Sequence, residues 1–306
     1  MEKKKRVLFT GGSGLLALNW AMHIKDHFEV VLGIHKKVIA ITGIQSVHIN
    51  METTDSFFAD LEKIQPDIVI HCAGLANVEA CEADPEAAHH INVVLSVNVA
   101  KACKEQGVRF VYISTDHLFS GKDPLVSEEE RPSPLNEYGR TKLEAENRIF
   151  DISDKNISIR TNFYGWGPSY RSSFSDMIIY NMRNNQTVSL FTDFFYTPIV
   201  IEELALTTML LIDKNANGIF NVVGNQRISK YEFGILIADY FQLDPTLIKA
   251  TLFSERKDLV KRPGDLSLSV KKTMSFLGNE IGSIQQNIKQ LKRQEQTGLS
   301  SIIHSL

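Results

Sequence analysis

The chain is poor in cysteine and carries no strong excess of either charge. Three cysteines, Cys72, Cys81 and Cys103, stand among 306 residues. An odd number without metal-ligand spacing speaks against a disulfide framework or a zinc site, and these residues read as buried or half-buried thiols in a reducing cytoplasm. His89 and His90 are adjacent and point to different sides of a helix, so no metal is expected there. The formal net charge of −3 gives no footing for nucleic acid. The start "KKKR" runs straight into a strand-like segment and reads as a solubilising N-terminus rather than a nuclear signal. No apolar run reaches the roughly 18 residues of a membrane helix. Arg6–Phe9 is too short for the apolar region of a signal peptide. Internal repeats and low-complexity segments are also lacking. A cytoplasmic protein with neither membrane nor nucleic acid as partner is expected.

What is present is ordinary for a globular protein: 43% apolar and 23% charged residues, enough for one or two domains. The first half alternates short β-branched runs with amphipathic stretches. "RVLFT", "EVVLGI", "SVHIN", "DIVIHCA", "RFVYIS" and "NISIRT" read as six strands. Helices are expected over 15–25, 54–64, 85–106 and from Tyr138 onward. Strands alternating with helices predict an α/β fold of Rossmann type, a doubly wound parallel sheet. The second half is less regular. "PSYRSSFSDMIIYNMRNN" reads as a loop and a helix, and helices are expected over Glu202 to Ile212 and over Tyr231 to Phe241. "VSLFTDFFYTPIV" is extended and aromatic, and "GIFNVVG" is a strand that returns to the sheet. The polar, Gln- and Lys-rich end, residues 291–306, is expected to fray.

Gly11, Gly14 and Ala17 follow strand one and open a helix. The G-x-x-G-x-x-A pattern is a variant of the dinucleotide fingerprint. Gly11 permits the tight turn, Gly14 the approach of a pyrophosphate, and Ala17 close packing of helix on strand. The helix N-terminus at Leu15 and Leu16 attracts the phosphates. Strand two ends in "GIHKK" rather than in the acid that accepts a ribose 2′-hydroxyl. His35, Lys36 and Lys37 suit a 2′-phosphate, which favours NADP over NAD; a solvated basic turn is the alternative. Tyr138 and Lys142 share one helix face. A cation beside a phenol lowers its pKa and fits it for acid/base work near neutrality. Thr115, at the end of a strand, is placed to hydrogen-bond the same reacting oxygen.

With "TGGSGLLA", "PDIVIHCAGLANVEACEADPE", "STDHLFSG", "PLNEYGRTKLEAE", "RTNFYG", "TPIVIEELA" and "RPGDLSL", the chain resembles the extended short-chain dehydrogenase/reductase family over about residues 5–278. Within it, the likeness is to the dTDP-4-dehydrorhamnose reductases and their sugar-nucleotide relatives. The resemblance implies NADPH-dependent reduction of a nucleotide-linked 4-keto-6-deoxy sugar. It implies Thr115, Tyr138 and Lys142 as catalytic residues, with Lys142 also on the nicotinamide ribose. Asn50, Cys72, Ala73 and Gly74 would flank the cofactor. Asp116, His117, Phe163, Pro198 and Arg262 would meet the substrate. It also implies a Rossmann domain over 1–160 with a returning segment near 195–225, and a smaller C-terminal substrate-binding domain over 161–194 and 226–290. A homodimer paired through the long helices is expected on the same ground.

The chain departs from the family pattern in places. Asn50 stands where an acid often follows strand three, and Leu75 replaces a polar residue near the cofactor. Tyr196, Thr197, Pro198 and Ile199 stand in the substrate segment, and Phe163 replaces a common Trp. Sugar-nucleotide dehydratases carry Thr-Asp-Glu, whereas this chain has Thr115, Asp116 and His117, which favours simple reduction. Asp116 serves either to orient Thr115 or the substrate, or to cap its loop. Two further readings stay open: an epimerase on the same fold, and a non-catalytic NADP-binding subunit like the regulatory β-subunit of methionine adenosyltransferase.

Overall fold

The computed structural model describes residues 4–306, so Lys3 of the basic start lies outside the described residues. The chain forms two compact units. The first takes the segment ending at Leu118, Pro134–Arg160 and Asn215–Phe220. Its elements are β1 (Arg6–Thr10), α1 (Leu15–Ile24), β2 (Glu29–Ile34), β3 (Gln45–His48), α2 (Thr54–Ile64), β4 (Ile68–His71), α3 (Val78–Ala83), α4 (Pro85–His89), α5 (Leu95–Gln106), β5 (Arg109–Ile113), α6 (Glu137–Ile152) and β6 (Ile157–Arg160). A seven-stranded sheet runs in the order Gly218–Asn221, β6, β5, β4, β1, β2, β3. Strands β1 to β6 are parallel. Such a sheet must be covered on both faces, which is why β4 is buried along its whole length. Leu8, Val69 and Phe110 from three neighbouring strands pack with Phe57 of α2 and with Val99 and Ala100 of α5. The strand order reverses beside β1 and β4, and in open parallel sheets ligands bind outside the strand ends at that point.

The register sets a row of residues across the sheet. Gly33, Thr10, His71, Tyr112 and Ser158 are successive partners in β2, β1, β4, β5 and β6. Four of the five carry polar groups, unusual for a layer this deep.

The long helix expected over 85–106 is interrupted. Between α4 and α5 the turn His90–Val94 is π-helical. The short helix α3, capped by Asn77 accepting from the Ala80 N–H, was not anticipated.

The second unit takes 119–133, 161–214 and 221–306. It contains three two-stranded pairings: Phe163–Tyr164 with Ile199–Val200, Phe195–Tyr196 with Ile228–Ser229, and Val188–Phe191 with Ile248–Thr251. Its α-helices are α7 (Phe174–Arg183), α8 (Ile201–Asp213), α9 (Lys230–Phe241), α10 (Lys271–Leu277), α11 (Ile284–Gln296) and α12 (Leu299–His304). From the segment 195–225 the large sheet receives the strand Gly218–Asn221, while 195–214 belongs to this second unit.

The expectation that 291–306 frays is corrected. Ile284, Ile288 and Leu291 form an apolar stripe on α11, and Leu291 and Ile303 are fully buried. The indole N–H of Trp166 donates to the Leu291 carbonyl at 3.3 Å. The glutamines and lysines that suggested a loose tail lie mostly on the wet side of an amphipathic helix. Among the described residues no helix is long and apolar enough to cross a membrane.

Candidate active site

The first unit gathers the glycine turn, the strand ends and α6. Gly11 has φ +64°, and a Cβ there would lie 2.8 Å from the backbone N and Cα of Ala73. Only glycine permits that approach of β1 to the loop after β4. Gly14 is the N-cap of α1 and its N–H donates to the Gly11 carbonyl at 2.8 Å. No side chain caps α1 and its first turn holds no acid. Leu15 and Leu16 are buried below this end. An uncapped, unopposed helix start over a glycine turn fits a pyrophosphate. Beyond β2, His35, Lys36 and Lys37 are all exposed. The imidazole Nδ1 of His48 lies 3.0 Å from the His35 carbonyl. Asn50 is exposed, and its side-chain oxygen accepts from the Glu52 N–H at 3.0 Å. These residues fit a dinucleotide: a cradle for phosphate, exposed basic side chains after β2, and no carboxylate at the end of β2.

Cys72, Ala73 and Gly74 form the loop after β4. Cys72 is a thiol that burial pushes up strongly, so it stays protonated. Beneath the loop runs a chain of hydrogen bonds. The Thr10 hydroxyl lies 2.8 Å from His71 Nδ1, and His71 Nε2 lies 2.9 Å from the Ser96 hydroxyl. Ser96 donates its own proton to the Asn92 carbonyl at 2.7 Å. Its oxygen therefore accepts from His71, so Nε2 carries the imidazole proton and Nδ1 accepts from Thr10. The Ala73 N–H in turn donates to Thr10 Oγ1 at 3.4 Å. Burial, with Lys142 nearby, lowers the His71 pKa to about 3 and keeps the ring neutral. Asn92 sits in the π-helical turn. Its amide oxygen accepts from the Leu75 N–H at 2.7 Å, and its amide nitrogen donates to the Leu75 carbonyl and to Thr141 Oγ1, both at 3.1 Å. The network thus runs from the glycine turn to the helix that carries Tyr138 and Lys142.

Helix α6 starts at the Asn136 cap, whose side chain accepts from the Gly139 N–H at 2.9 Å. Gly139 lies against the His117 carbonyl, 2.4 Å from where its Cβ would be. That glycine presses the first turn of α6 onto the segment after β5. There Thr115 and Asp116 are buried. Thr115 Oγ1 donates to Asp116 at 3.2 Å and accepts from the His117 N–H at 3.2 Å. Asp116 therefore orients the threonine hydroxyl. The His117 ring stands edge-on to the Tyr138 ring, with centroids 5.4 Å apart. Lys142 is 5% exposed, donates from Nζ to the Ile113 carbonyl at 2.7 Å and lies 4.0 Å above the Tyr112 ring. Burial brings the Lys142 pKa down from 10.5 to about 7, with Glu146 opposing the fall. The cation invoked beside the phenol is therefore held at the edge of its charged range. A phenol acid, an oriented hydroxyl and a buried amine close to neutrality suit proton transfer to an oxygen.

The sequence matches the RmlD substrate binding domain family over residues 5–296. The chain belongs to this family. A probable low-salt glycan biosynthesis reductase of Haloferax volcanii is 27% identical to it, over 92% of this chain and 96% of the relative. The dTDP-4-dehydrorhamnose reductase of Salmonella typhimurium is 28% identical, covering 69% and 74%. The methionine adenosyltransferase 2 subunit beta of Xenopus tropicalis is 28% identical, covering 78% and 73%. Among solved structures, the dTDP-4-dehydrorhamnose reductase of Bacillus anthracis in complex with NADP superposes with a TM-score of 0.84 at 23% identity, covering 95% and 100%. The Bordetella bronchiseptica enzyme WbmG in complex with NAD gives 0.80 at 19%, covering 99% and 98%.

In this RmlD-family chain the remaining substrate candidates lie in the second unit. Phe163 pairs with Ile199 in a short parallel ladder, and Pro198 is buried. Arg262 donates from Nε to the Val260 carbonyl at 3.2 Å. It lines a cavity of about 310 Å³ with Phe174, Phe191, Phe194, Phe253, Lys230 and Arg256. Lys230 Nζ stands 3.6 Å from the Tyr196 ring centre and 4.2 Å from that of Phe174. The cavity combines aromatic faces with three cations, which suits a flat base joined to phosphate.

Sequence reasoning passed over His71, Ser96, Asn92 and the cations Lys230 and Arg256. A histidine inside the apolar run "DIVIHCA" was a usable signal. So was the density of aromatics in "LFTDFFY". Ser96 and Asn92 left none, because the π turn that aims them is not written in periodicity.

Proposed function

We propose that the protein is an NADPH-dependent reductase of a nucleotide-linked 4-keto-6-deoxy sugar. The observation that carries this reading is the group formed by Tyr138 and the buried Lys142 on α6, with Thr115 at the end of β5, in the same unit as the uncapped glycine turn. NADPH supplies the hydride. Tyr138 gives a proton to the C4 oxygen as the alkoxide forms. Lys142 holds the ribose hydroxyls and favours the ionised phenol that the transfer leaves. Thr115, whose proton rests on Asp116, turns that proton to the same oxygen when the sugar is bound. In this reading Asp116 and His117, next to Thr115 in the first unit, meet the sugar, and Phe163 and Pro198 remain substrate candidates of the second unit. The cavity at Arg262 takes the nucleotide, with a base against Phe191 or Phe253 and phosphates toward the cations. Exposed His35, Lys36 and Lys37 favour NADP over NAD. Cytoplasmic placement and a homodimer through the helical segments 85–106 and 138–149 belong to the same reading. A monomeric mass at micromolar concentration removes the dimer.

The likeness to a methionine adenosyltransferase subunit favours a second reading, a cofactor-binding regulatory chain. One experiment separates the two. Purified protein is given NADPH and a panel of 4-keto sugar nucleotides, and loss of reduced nicotinamide is followed. Steady turnover on one of them supports the reductase. Tight NADPH binding with no turnover on any supports the regulatory chain.

A further inference from the structure

Tyr138, Lys142 and Glu146 stand at intervals of four residues along α6 and so share one face. Glu146 is 1% exposed, a position where a carboxylate is costly unless it is held. It is held firmly. Arg160 donates from Nη2 to Oε1 at 2.6 Å and from Nε to the two oxygens at 3.2 and 3.3 Å. Ser158 donates to Oε2 at 2.6 Å. Arg160 and Ser158 both come from β6, and Ser158 is the register partner of Tyr112, over whose ring the Lys142 amine lies.

Four other groups around Lys142, two thiols, a phenol on β5 and an imidazole, bring no negative charge at neutral pH. Cys72 after β4 and Cys81 on α3 are thiols that burial pushes up, Cys81 to about 11. Tyr112 on β5 is pushed well above the ordinary phenol range by burial. His71 on β4 is neutral. Tyr138 precedes Lys142 on its own helix, and Ile113 contributes a carbonyl. Glu146 is thus the anion that acts on this amine among the described residues, with Arg160 as its own counterion.

We propose that Glu146 is a positioning residue: anchored by Arg160 and Ser158, it keeps Lys142 charged and so sets the upper pH limit of the reaction. The proposal rests on the reading that Tyr138 and Lys142 are the acid and its partner. Loss of the Lys142 proton removes the charge that supports Tyr138 and weakens the donors offered to the ribose.

The test is a pH titration of protein labelled with carbon-13 at lysine Cε, with the Lys142 signal assigned by its absence in Lys142→Met. In the native protein the midpoint is expected at about 7. In Glu146→Gln, which keeps the shape, it is expected to fall by about one unit or more, a tenfold change in proton affinity. The pH above which NADPH affinity declines, read from nicotinamide fluorescence, is expected to fall in parallel. A midpoint that stays within about 0.3 unit in a folded Glu146→Gln protein overturns the proposal. Should that variant not fold, Glu146→Gln with Arg160→Met leaves neither charge buried alone and is read in the same way. Loss of folding in both also overturns it, because the pair then serves the fold rather than the charge of Lys142. The titration uses no substrate. A midpoint that moves in a protein inactive on every keto-sugar nucleotide supports the role of Glu146 and overturns the reductase reading alone.

Discussion

His71→Phe should make the protein less stable near neutrality and relatively more stable in acid. A buried aromatic ring is kept, somewhat larger than the imidazole, but the titrating group and its two hydrogen bonds are lost. Ser96 retains the Asn92 carbonyl as acceptor, whereas the Thr10 hydroxyl loses the partner for its proton. One unpaired buried donor costs about 1–3 kcal/mol, which sets the deficit expected at pH 7.5. The sign reverses through linkage. The native ring stays unprotonated down to about pH 3, while the unfolded chain binds a proton below the ordinary 6.5. Between those values the unfolded state holds more protons, so native stability falls as pH falls. Each pH unit below 6.5 removes about 1.4 kcal/mol, or roughly 3 kcal/mol by pH 4.5. The phenylalanine variant lacks this loss, and other titrating groups are common to both proteins. The two stability curves should therefore meet between about pH 6 and pH 4.5. Urea unfolding at pH 7.5, 5.5 and 4.5 measures the gap. A gap that is constant within about 0.5 kcal/mol across that range would show that His71 is not held neutral by the fold.

Tyr138→Phe should lower turnover on the order of a hundredfold or more while leaving NADPH affinity unchanged, and Lys142→Ala should damage both. Steady-state rates set beside fluorescence titrations of each variant test this, and wild-type turnover by Tyr138→Phe removes the proposed acid. Changing Lys36 and Lys37 together to Ala should weaken NADPH binding and spare NADH; equal effects on the two cofactors count against a 2′-phosphate site. Leu291→Ala should cost about 2–5 kcal/mol, because the side chain is wholly buried in a helix expected from sequence to fray. An unfolding free energy within about 0.5 kcal/mol of the parent would mean that α11 contributes little to the fold.

Legibility followed the physics of each part. Strands such as Arg6–Thr10 and Ile68–His71 could be read because a parallel sheet covered on both faces demands unbroken apolar runs. The glycine turn was legible because Gly11 answers a steric demand that no other residue meets. The common helix face of Tyr138 and Lys142 was legible because a four-residue spacing carries meaning on a helix. The same spacing extends to Glu146, but its value depends on Arg160 and Ser158, which come from a strand that sequence does not place beside it. The end of the chain was misread because composition was weighed ahead of period. Its polar residues cover a stripe at Ile284, Ile288 and Leu291 that is narrow but regular.

The π-helical turn at His90–Val94 has a consequence for insertions and deletions. Such a turn is an α-helix holding one residue more than its hydrogen bonds require. Deleting Val94 should therefore leave an acceptable helix by every local standard. It would also rotate everything before it by about 100° against everything after it. Asn92 and Ser96 could not then both keep their places, one on the Leu75 backbone and the other on His71. The stretch from Pro85 to Gln106 should tolerate many side-chain exchanges at its wet positions and no change of length. Its residue count is thus more constrained than most of the letters that fill it, the reverse of what holds for a surface loop.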